Sequence, residues 1–388
     1  MAVSSQPPRS RLGRYEAFWG YLFIAAPLLG FIIFAAGPLV ASLVLSFTDY
    51  DILTPPRWVG TQNWQEILGL TVVTLPQQVD DESGEFLFRC GRETVLQSEI
   101  ADYEGRVDER TRQVMTCAPL LVRATDVLPD GYAPWFDVEL SGTRYLVGAR
   151  DAILWEGLFN TVFLLLAIPI SLALALILAL ALNQQIAGKN LFRVVYYLPT
   201  ILPLAAIALV WLWIYNPDFG LLNYLLREAG FTSLGRTNWL QDREAVKPAL
   251  ILMGVWSGLG YQMLIYLAGI QGVPRQLYEA AEIDGAGWWA KFWNVTWPAL
   301  TPTTFFLLIT SMIAGFQNFL QPYIMTSGGP GNASRTVVMT IYDNAFRDLQ
   351  MGYASAQAWM LGTIIIAITV VNFLLARRWV FYEGEGLS

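Results

Sequence analysis

Six stretches of this chain contain no Asp, Glu, Lys or Arg: Ala17–Phe47, Gly157–Ala181, Val194–Asn216, Pro248–Ile270, Ala299–Met325 and Tyr353–Ala376. Each is 23 residues or longer, and about 20 apolar residues cross the hydrocarbon layer of a bilayer. All 24 basic and 31 acidic residues fall in the segments between them. A soluble helix needs polar residues along its outward face, so this partition predicts six transmembrane helices. Charged residues make up 14% of the chain, against about 25% in ordinary soluble domains, too few to cover a globular surface.

Orientation follows from Lys and Arg in the short loops. One side carries nine: Arg9, Arg11, Arg14, Lys189, Arg193, Arg275, Lys291, Arg377 and Arg378. The short loops of the other side carry six: Arg227, Arg236, Arg243, Lys247, Arg335 and Arg347. Both termini are therefore expected in the cytoplasm of a multi-pass inner-membrane protein. Residues 1–16 and 382–388 are expected as cytoplasmic tails, the first of them disordered. The first apolar run is too long for a signal-peptide core of roughly 7–15 residues and reads as a retained anchor.

Residues 48–156 then lie outside the cytoplasm. This segment holds 19 acidic and 9 basic residues, a net charge of −10, whereas the whole chain carries −7. Asp49–Leu68 reads as a connector and Gly69–Arg150 as a small mixed domain. Strand-type runs occur at Thr71–Leu75, Phe86–Arg89, Leu120–Ala124, Trp135–Leu140 and Thr143–Val147, and the polar stretch Glu93–Met115 has room for a helix. Cys90 and Cys117, the two cysteines of the chain, both fall here. A single pair on the oxidising side of a membrane suggests a disulfide, with two buried free thiols as the alternative.

Absent residue types narrow the function. The chain has no His, which removes imidazole metal sites and His-based triads, and no metal site is expected. Two cysteines do not make a zinc or iron–sulfur centre. No basic block suggests nucleic acid. The spans hold no acid or base, so they lack the proton relay common in ion-coupled transporters. No G-x-x-x-x-G-K-[ST] phosphate loop occurs. An active transporter built on this chain must take its energy from another subunit.

The most specific signal lies between the fourth and fifth spans. It reads Glu279-Ala280-Ala281, then Ile283-Asp284-Gly285-Ala286-Gly287, and later Val295-Thr296-Trp297-Pro298. Gln276–Ile283 suits a short helix behind Pro274, Gly285 and Gly287 suit a turn that other residues would strain, and Trp288–Val295 suits a second helix. The pattern resembles the EAA loop of binding-protein-dependent ABC importer permeases. The Glu, both Ala, the Gly and the Pro fall at the family's spacing, while Val295 and Trp297 stand for Ile and Leu. Trp58-Val59-Gly60, Asn63-Trp64, Asn160-Thr161-Val162-Phe163 and Gly328-Gly329-Pro330 are similar to further signatures of the larger, MalF-like subunit in the maltose and glycerol-3-phosphate group. That resemblance implies an all-α transmembrane fold, a six-helix MetI-like core at 157–381 with a small α+β extracytoplasmic domain inserted after the first helix. It implies a coupling loop at 271–298 that seats in a separate ATPase, with Glu279, Ala280, Ala281, Asp284, Gly285 and Pro298 as coupling residues. The partners implied are a second permease subunit, an ATPase homodimer holding ATP and Mg, and an extracytoplasmic solute-binding protein. No cofactor and no enzymatic activity are expected in this chain itself.

Counting from the loop and from Gly328 carries the maltose-type substrate contacts onto Ser257, Gly258, Tyr261, Ser311, Ala314, Gly315 and Asn318. Ala314 and Gly315 replace an aromatic and an amide, so a roomier or differently shaped pocket is expected there. Sugars offer hydroxyls on rings with apolar faces, and neutral donor–acceptor groups beside an aromatic ring suit them. The function expected is a permease subunit importing a sugar or oligosaccharide. A polyol or glycerol phosphate is the alternative; a phosphate favours Arg or Lys along the path, and the spans have none. A membrane enzyme or non-transport scaffold ranks lower, since no nucleophile, metal or acid–base pair gathers near the spans.

Overall fold

The computed structural model describes residues 11–80, 82–106, 114–141, 143–185 and 187–381. The tail expected at 382–388 and residues 1–10 lie outside the described residues. The chain divides into two units, residues 1–65 with 341–360 and residues 66–340 with 361–388.

The first span is α1 (Arg11–Phe31) continued through a π turn at Ile32–Ala36 into α2 (Gly37–Leu45). Helix already holds at Arg11, which corrects the disordered tail to 16. The π turn sits just before Pro38, and its wider winding absorbs the amide that proline lacks. β1 (Thr48–Asp49) and β2 (Arg57–Trp58) form a hairpin, followed by α3 (Gln62–Leu68). The Asn63-Trp64 signature gains its physical reason here. Asn63 donates from Nδ2 to the carbonyls of Ser46 at 2.9 Å and Thr48 at 3.0 Å, and Trp64 donates to Ser46 Oγ at 3.3 Å. Together they satisfy the orphan carbonyl region at the end of the first span. Phe47 stacks on Trp58 at 5.7 Å.

The inserted segment is built from two antiparallel three-stranded sheets. β3 (Leu70–Thr74), β8 (Thr143–Ala149) and β7 (Ala133–Leu140) form one, in that order. β5 (Glu93–Leu96), β4 (Leu87–Cys90) and β6 (Cys117–Pro119) form the other. The 93–115 stretch opens with a strand and then holds the expected helix, a 3-10 turn at Gln97–Glu99 running into the short α4 (Ile100–Tyr103); residues 107–113 lie outside the described ones. One expectation needs correction. The strand expected at Leu120–Ala124 sits earlier, at β6, because Cys117 stands directly across from Cys90 in the ladder. The two are joined by a disulfide. A loop of 27 residues closed in this way is stabilised by about 3–4 kcal/mol on the chain-entropy account. The turn α5 (Ala124–Val127) follows.

The remaining helices are α6 (Ala152–Leu164), α7 (Ala167–Asn183), α8 (Lys189–Ile201), α9 (Leu204–Ile214), α10 (Leu221–Glu228), α11 (Val246–Gly272), α12 (Arg275–Ile283), α13 (Trp288–Lys291), α14 (Trp297–Phe316), α15 (Leu320–Thr326), α16 (Val337–Tyr342) and α17 (Met351–Ala376). Among the described residues, five helices or near-continuous helical runs are long and apolar enough to cross a membrane: Phe18–Leu45, Ala152–Asn183, Val246–Gly272, Trp288–Phe316 and Met351–Ala376. The third expected span, Val194–Asn216, is not one helix. α8 and α9 meet at an angle of 103°, because Pro203 holds Leu202 in extended backbone with ψ of 143°.

α11 is the central post. One apolar cluster packs it against α9 and α15 through Ala208, Trp211, Leu250, Met253 and Met325. The other packs it against α7 and α14 through Leu172, Ala175, Met263, Tyr266 and Leu307. Gly260 allows α8 to press on α11: a Cβ there would overlap the backbone of Tyr196.

Candidate functional site

Three of the helical runs around α11 are interrupted, and the interruptions converge. α6 gives way to α7 at Leu165-Leu166, α8 to α9 at Leu202-Pro203, and α14 to α15 at Gln317–Phe319. The last corrects the single fifth span expected over 299–325. Leu165, Thr200, Leu204, Gln317, Asn318 and Phe319, each at or beside a break, all line one cavity of about 760 Å³. α11 runs past it unbroken and supplies the facing wall with Leu250, Gly254, Ser257, Gly258, Tyr261 and Gln262. Non-helical backbone at membrane depth persists only where protein buries it or a polar cavity takes up its freed groups.

The lining carries no Asp, Glu, Lys or Arg. Its polarity comes from side-chain amides and hydroxyls wired to each other. Ser171 donates to Gln262 Oε1, and Gln262 Nε2 donates to Ser311 at 3.4 Å. Asn318 Nδ2 donates to Gln321 Oε1 at 3.0 Å across the α14–α15 break, and Gln321 Nε2 donates to the Leu250 carbonyl at 2.7 Å on α11. Tyr261 remains 42% exposed within this otherwise packed region.

The structure brings Ser257, Gly258 and Tyr261 of α11, Ser311, Ala314 and Gly315 of α14, and Asn318 together in the lining of this one cavity. Two details refine this lining. The space left at Gly315 is filled: Leu165 Cδ2 stands 2.5 Å from where a Cβ would be, so of the two expected outcomes the cavity is differently shaped there rather than roomier. Ser257 turns its hydroxyl back to the Gly254 carbonyl at 3.1 Å. Sequence reasoning passed over Ser171, Thr200, Gln262, Gln317 and Gln321 as site residues. The polar residues of an apolar span facing α11 were the available signal, but assigning them required knowing which helices meet.

The second candidate region is the elbow after α11. α12 begins behind Pro274 and ends at Asp284. Gly285 adopts φ of +75°, its N–H bonds Glu282 O at 3.0 Å, and the Ala286 N–H bonds Ala281 O at 2.9 Å. These two bonds form a Schellman stop, which needs a left-handed residue at that position. Open space surrounds the missing Cβ, so the glycine answers to backbone conformation and not to crowding. Lys291 reaches back to Glu282 at 2.7 Å, and the Tyr278 hydroxyl meets Thr296 Oγ1 at 3.0 Å, pinning the two arms together. The Glu282 carboxyl is held below its ordinary value, first by the hydrogen bond from Lys291 and then by its charge. α12 buries none of its residues, and Ile283 is 87% exposed. Glu279, Ala280, Asp284 and Gly285 are likewise exposed, and Ala281 is half-buried.

The expected separate helix Trp288–Val295 is instead the opening of the fifth span. α13 passes through a π turn at Phe292–Thr296 into α14 without a break, giving a helical run of Trp288–Phe316. As at Pro38, the π turn precedes a proline, here Pro298.

Residues 161–380 match the family described as the binding-protein-dependent transport system inner membrane component. The chain belongs to this family. It is a permease subunit of an importer served by a binding protein, embedded in the membrane by several helices, and is itself not an enzyme. The chain is 29% identical to the Probable ABC transporter permease protein YesP of Bacillus subtilis (strain 168), over 97% of this chain and 96% of that protein. It is 34% identical to the sn-glycerol-3-phosphate transport system permease protein UgpA of Agrobacterium fabrum, over 64% of this chain and 80% of that one. Its fold is similar to a chain of a bacterial alginate ABC transporter crystallised with its alginate pentasaccharide-bound periplasmic protein, with a TM-score of 0.52 and 23% identity over 58% of this chain and 78% of that one.

The permease signatures outside the elbow also find structural work. Asn160 donates from Nδ2 to the carbonyls of Asn332 at 2.8 Å and Arg335 at 2.9 Å, and Thr161 accepts from the Val337 amide at 3.1 Å. They tie α6 to the loop that follows the Gly328-Gly329-Pro330 turn.

Proposed function

We propose that this permease passes a neutral sugar or oligosaccharide through the cavity beside α11. The observation that supports this most is the lining: amides, hydroxyls and Tyr261, with no charged side chain. Neutral amides offer donors and acceptors together, as sugar hydroxyls do, and an aromatic ring suits the apolar face of a pyranose. Ser257, Gly258, Tyr261, Ser311, Gly315 and Asn318 would form the contact wall, with Gln262 alongside. Opening of the α8–α9 and α14–α15 breaks would give the path two mouths.

In this reading α12 is the face offered to the ATPase. A nine-residue helix is marginal alone in water, and this one buries nothing within its own chain. A partner cleft would supply the missing burial, with Glu279 and Asp284 as polar contacts and the Trp288–Phe316 helix as the lever into the bilayer. ATP and Mg would stay with that ATPase, and a second permease subunit would complete the pathway. The loop basicity supports a cytoplasmic position for α12 and both termini, which would leave the acidic inserted domain on the side from which the solute-binding protein delivers substrate.

A phosphorylated polyol is the second reading, favoured by the similarity to the sn-glycerol-3-phosphate permease. It ranks behind because a phosphate selects Arg or Lys, and the cavity presents neither. The test is ATPase stimulation in the assembled importer with its binding protein, reconstituted in liposomes, across neutral oligosaccharides, hexoses and glycerol 3-phosphate. Stimulation confined to neutral sugars supports the first reading; stimulation confined to the phosphate ester overturns it.

A further inference from the structure

α10, in the connection between the third and fourth spans, wears its polarity inside out. A helix on a watery surface turns apolar residues inward and polar residues outward. Here Asn223 is fully buried. Its Nδ2 donates to the Thr237 carbonyl at 3.0 Å and the Pro217 carbonyl at 3.3 Å, and its Oδ1 accepts from Trp239 Nε1 at 2.6 Å. One turn on, Arg227 is half-buried and donates to the Gly235 carbonyl at 2.8 Å. The exposed face carries Leu221, Tyr224 and Leu225, at positions i, i+3 and i+4 and each more than half exposed. Phe219 and Phe231, on either side of the helix, are 71% and 56% exposed.

This bare face follows closely in the chain on one suited to lipid. α9, the last part of the third span, exposes Leu209, Val210 and Trp213, and the Phe219–Leu225 segment begins only a few residues after it ends. Trp213 and Tyr224 combine an apolar ring with a polar tip, the side-chain type enriched at membrane–water boundaries. The face ends at Glu228, whose carboxylate suits the hydrated headgroup layer. Its inner side is satisfied by protein, and its outer side matches the boundary that an interfacial helix occupies.

We propose that α10 is a membrane-interface anchor: its Leu221–Tyr224–Leu225 face rests against lipid in the leaflet where α9 ends. Through Asn223 the anchor grips Pro217 and Thr237, the two flanks of the α9–α11 connection, and so fixes that connection at a set depth. The inference does not depend on the substrate.

The test is site-directed spin labelling of the full importer, assembled with its partner subunits in phosphatidylethanolamine–phosphatidylglycerol vesicles. Leu221→Cys, Tyr224→Cys and Leu225→Cys each supply one reactive thiol, because Cys90 and Cys117 are tied in a disulfide. Glu244→Cys, on the exposed part of the same connection, is the aqueous reference. Labels at the three α10 positions should collide more with oxygen than with a water-soluble nickel chelate, the reverse of Glu244→Cys. Two outcomes overturn the proposal. Dominant collision with nickel at all three positions puts the face in water. Shielding from both reagents in the assembled importer, with oxygen access restored in the separated subunit, makes a partner protein the occupant.

Discussion

The cavity and the elbow solve opposite mechanical problems with the same element, the helix. Around the cavity, three helical runs are interrupted, and neutral amides tie the surrounding helices together: Gln262 on α11 between Ser171 on α7 and Ser311 on α14, and Gln321 between Asn318, across the α14–α15 break, and Leu250 on α11. At the elbow, a helix stops cleanly at Gly285, and the next runs unbroken from Trp288 to Phe316 even past Pro298 and Pro302. Breaks let backbone and amides rearrange around a guest at membrane depth. A stopped helix pinned to a continuous one carries displacement without absorbing it. On the proposed reading, the same permease would keep compliance where substrate passes and stiffness where force enters; α14 belongs to both regions, elbow at one end and cavity at the other.

The largest effect should come from removing the stop. Gly285→Val places a β-branched residue at φ of +75°, a conformation that costs an ordinary residue about 1–2 kcal/mol and a β-branched one more. The Schellman bonds should yield, and α12 should tilt away from Lys291 and Thr296. The expected outcome is normal insertion in the membrane with transport reduced by about tenfold or more, equivalent to at least 1.4 kcal/mol of lost coupling, and poor retention of the ATPase on purification. Wild-type retention and transport would show that the elbow bends freely and would erase the contrast with the cavity.

Asn318→Ala should come next. It removes the amide that spans the α14–α15 break and leaves Gln321 Oε1 without that donor. That loss weakens the fold; in the proposed site the sugar hydroxyls that Asn318 would pair also lose their partner, at about 1–3 kcal/mol, or roughly 5- to 150-fold in sugar affinity. The ATPase should stay docked. Uptake at limiting sugar measures the loss; if uptake is unchanged while thermal stability drops, Asn318 serves only to hold the break together.

The two regions were unequally legible in the sequence. The elbow was readable because its determinants are local: a proline before the helix, a glycine after it, and a fixed spacing to Pro298. What escaped was the continuity of Trp288–Phe316, since a π turn ahead of a proline leaves no separate sequence mark. The cavity residues on α11 and α14 could be placed by counting from the elbow and the Gly328 turn. The breaks are marked only ambiguously. Pro169 stands four residues after Leu165, Pro322 four after Asn318, and Pro203 at the α8–α9 break, each where a proline removes a helix hydrogen bond; but Pro27 and Pro302 sit inside continuous helix, so proline alone does not say which run is interrupted. Whether Gln262 and Ser171 meet depends on how α7 crosses α11, a long-range fact that a charge-free stretch does not encode. In the inserted domain, strand existence was legible but register was not: the Cys90–Cys117 pairing moved the third strand upstream of its apolar run.

Tyr261 separates compliance from chemistry within the cavity. It makes no bridge across a break, so its loss should leave the fold untouched. Tyr261→Ala should weaken uptake at limiting sugar by about 2- to 10-fold, on the order of the 0.5–1.5 kcal/mol attributed to specific aromatic geometry, while Tyr261→Phe should stay within about twofold. Equal losses in both would assign the contribution to the hydroxyl and move the site's logic from ring stacking to hydrogen bonding.

The smallest effect is expected at the ion pair that decorates the elbow. Glu282 and Lys291 lie 2.7 Å apart, with the Glu282 side chain 63% exposed, where water screens much of their attraction. The lysine holds the Glu282 carboxyl below its ordinary value of 4.5. A depressed carboxylate contributes its stabilisation above the unfolded value and loses it only as pH falls through the lower folded one. The pair is therefore fully formed across about pH 5.5 to 8, and a chain without His has no other side chain with an ordinary titration in that window. Glu282→Gln should then reduce transport by less than about twofold and leave the pH profile of ATPase stimulation superimposable on wild type. A loss as deep as that of Gly285→Val, with the ATPase still bound, would mean that charge and not the Schellman stop sets the angle of α12. The stiffness of the elbow would then be electrostatic, and raising the salt concentration should soften it in the wild-type importer as well.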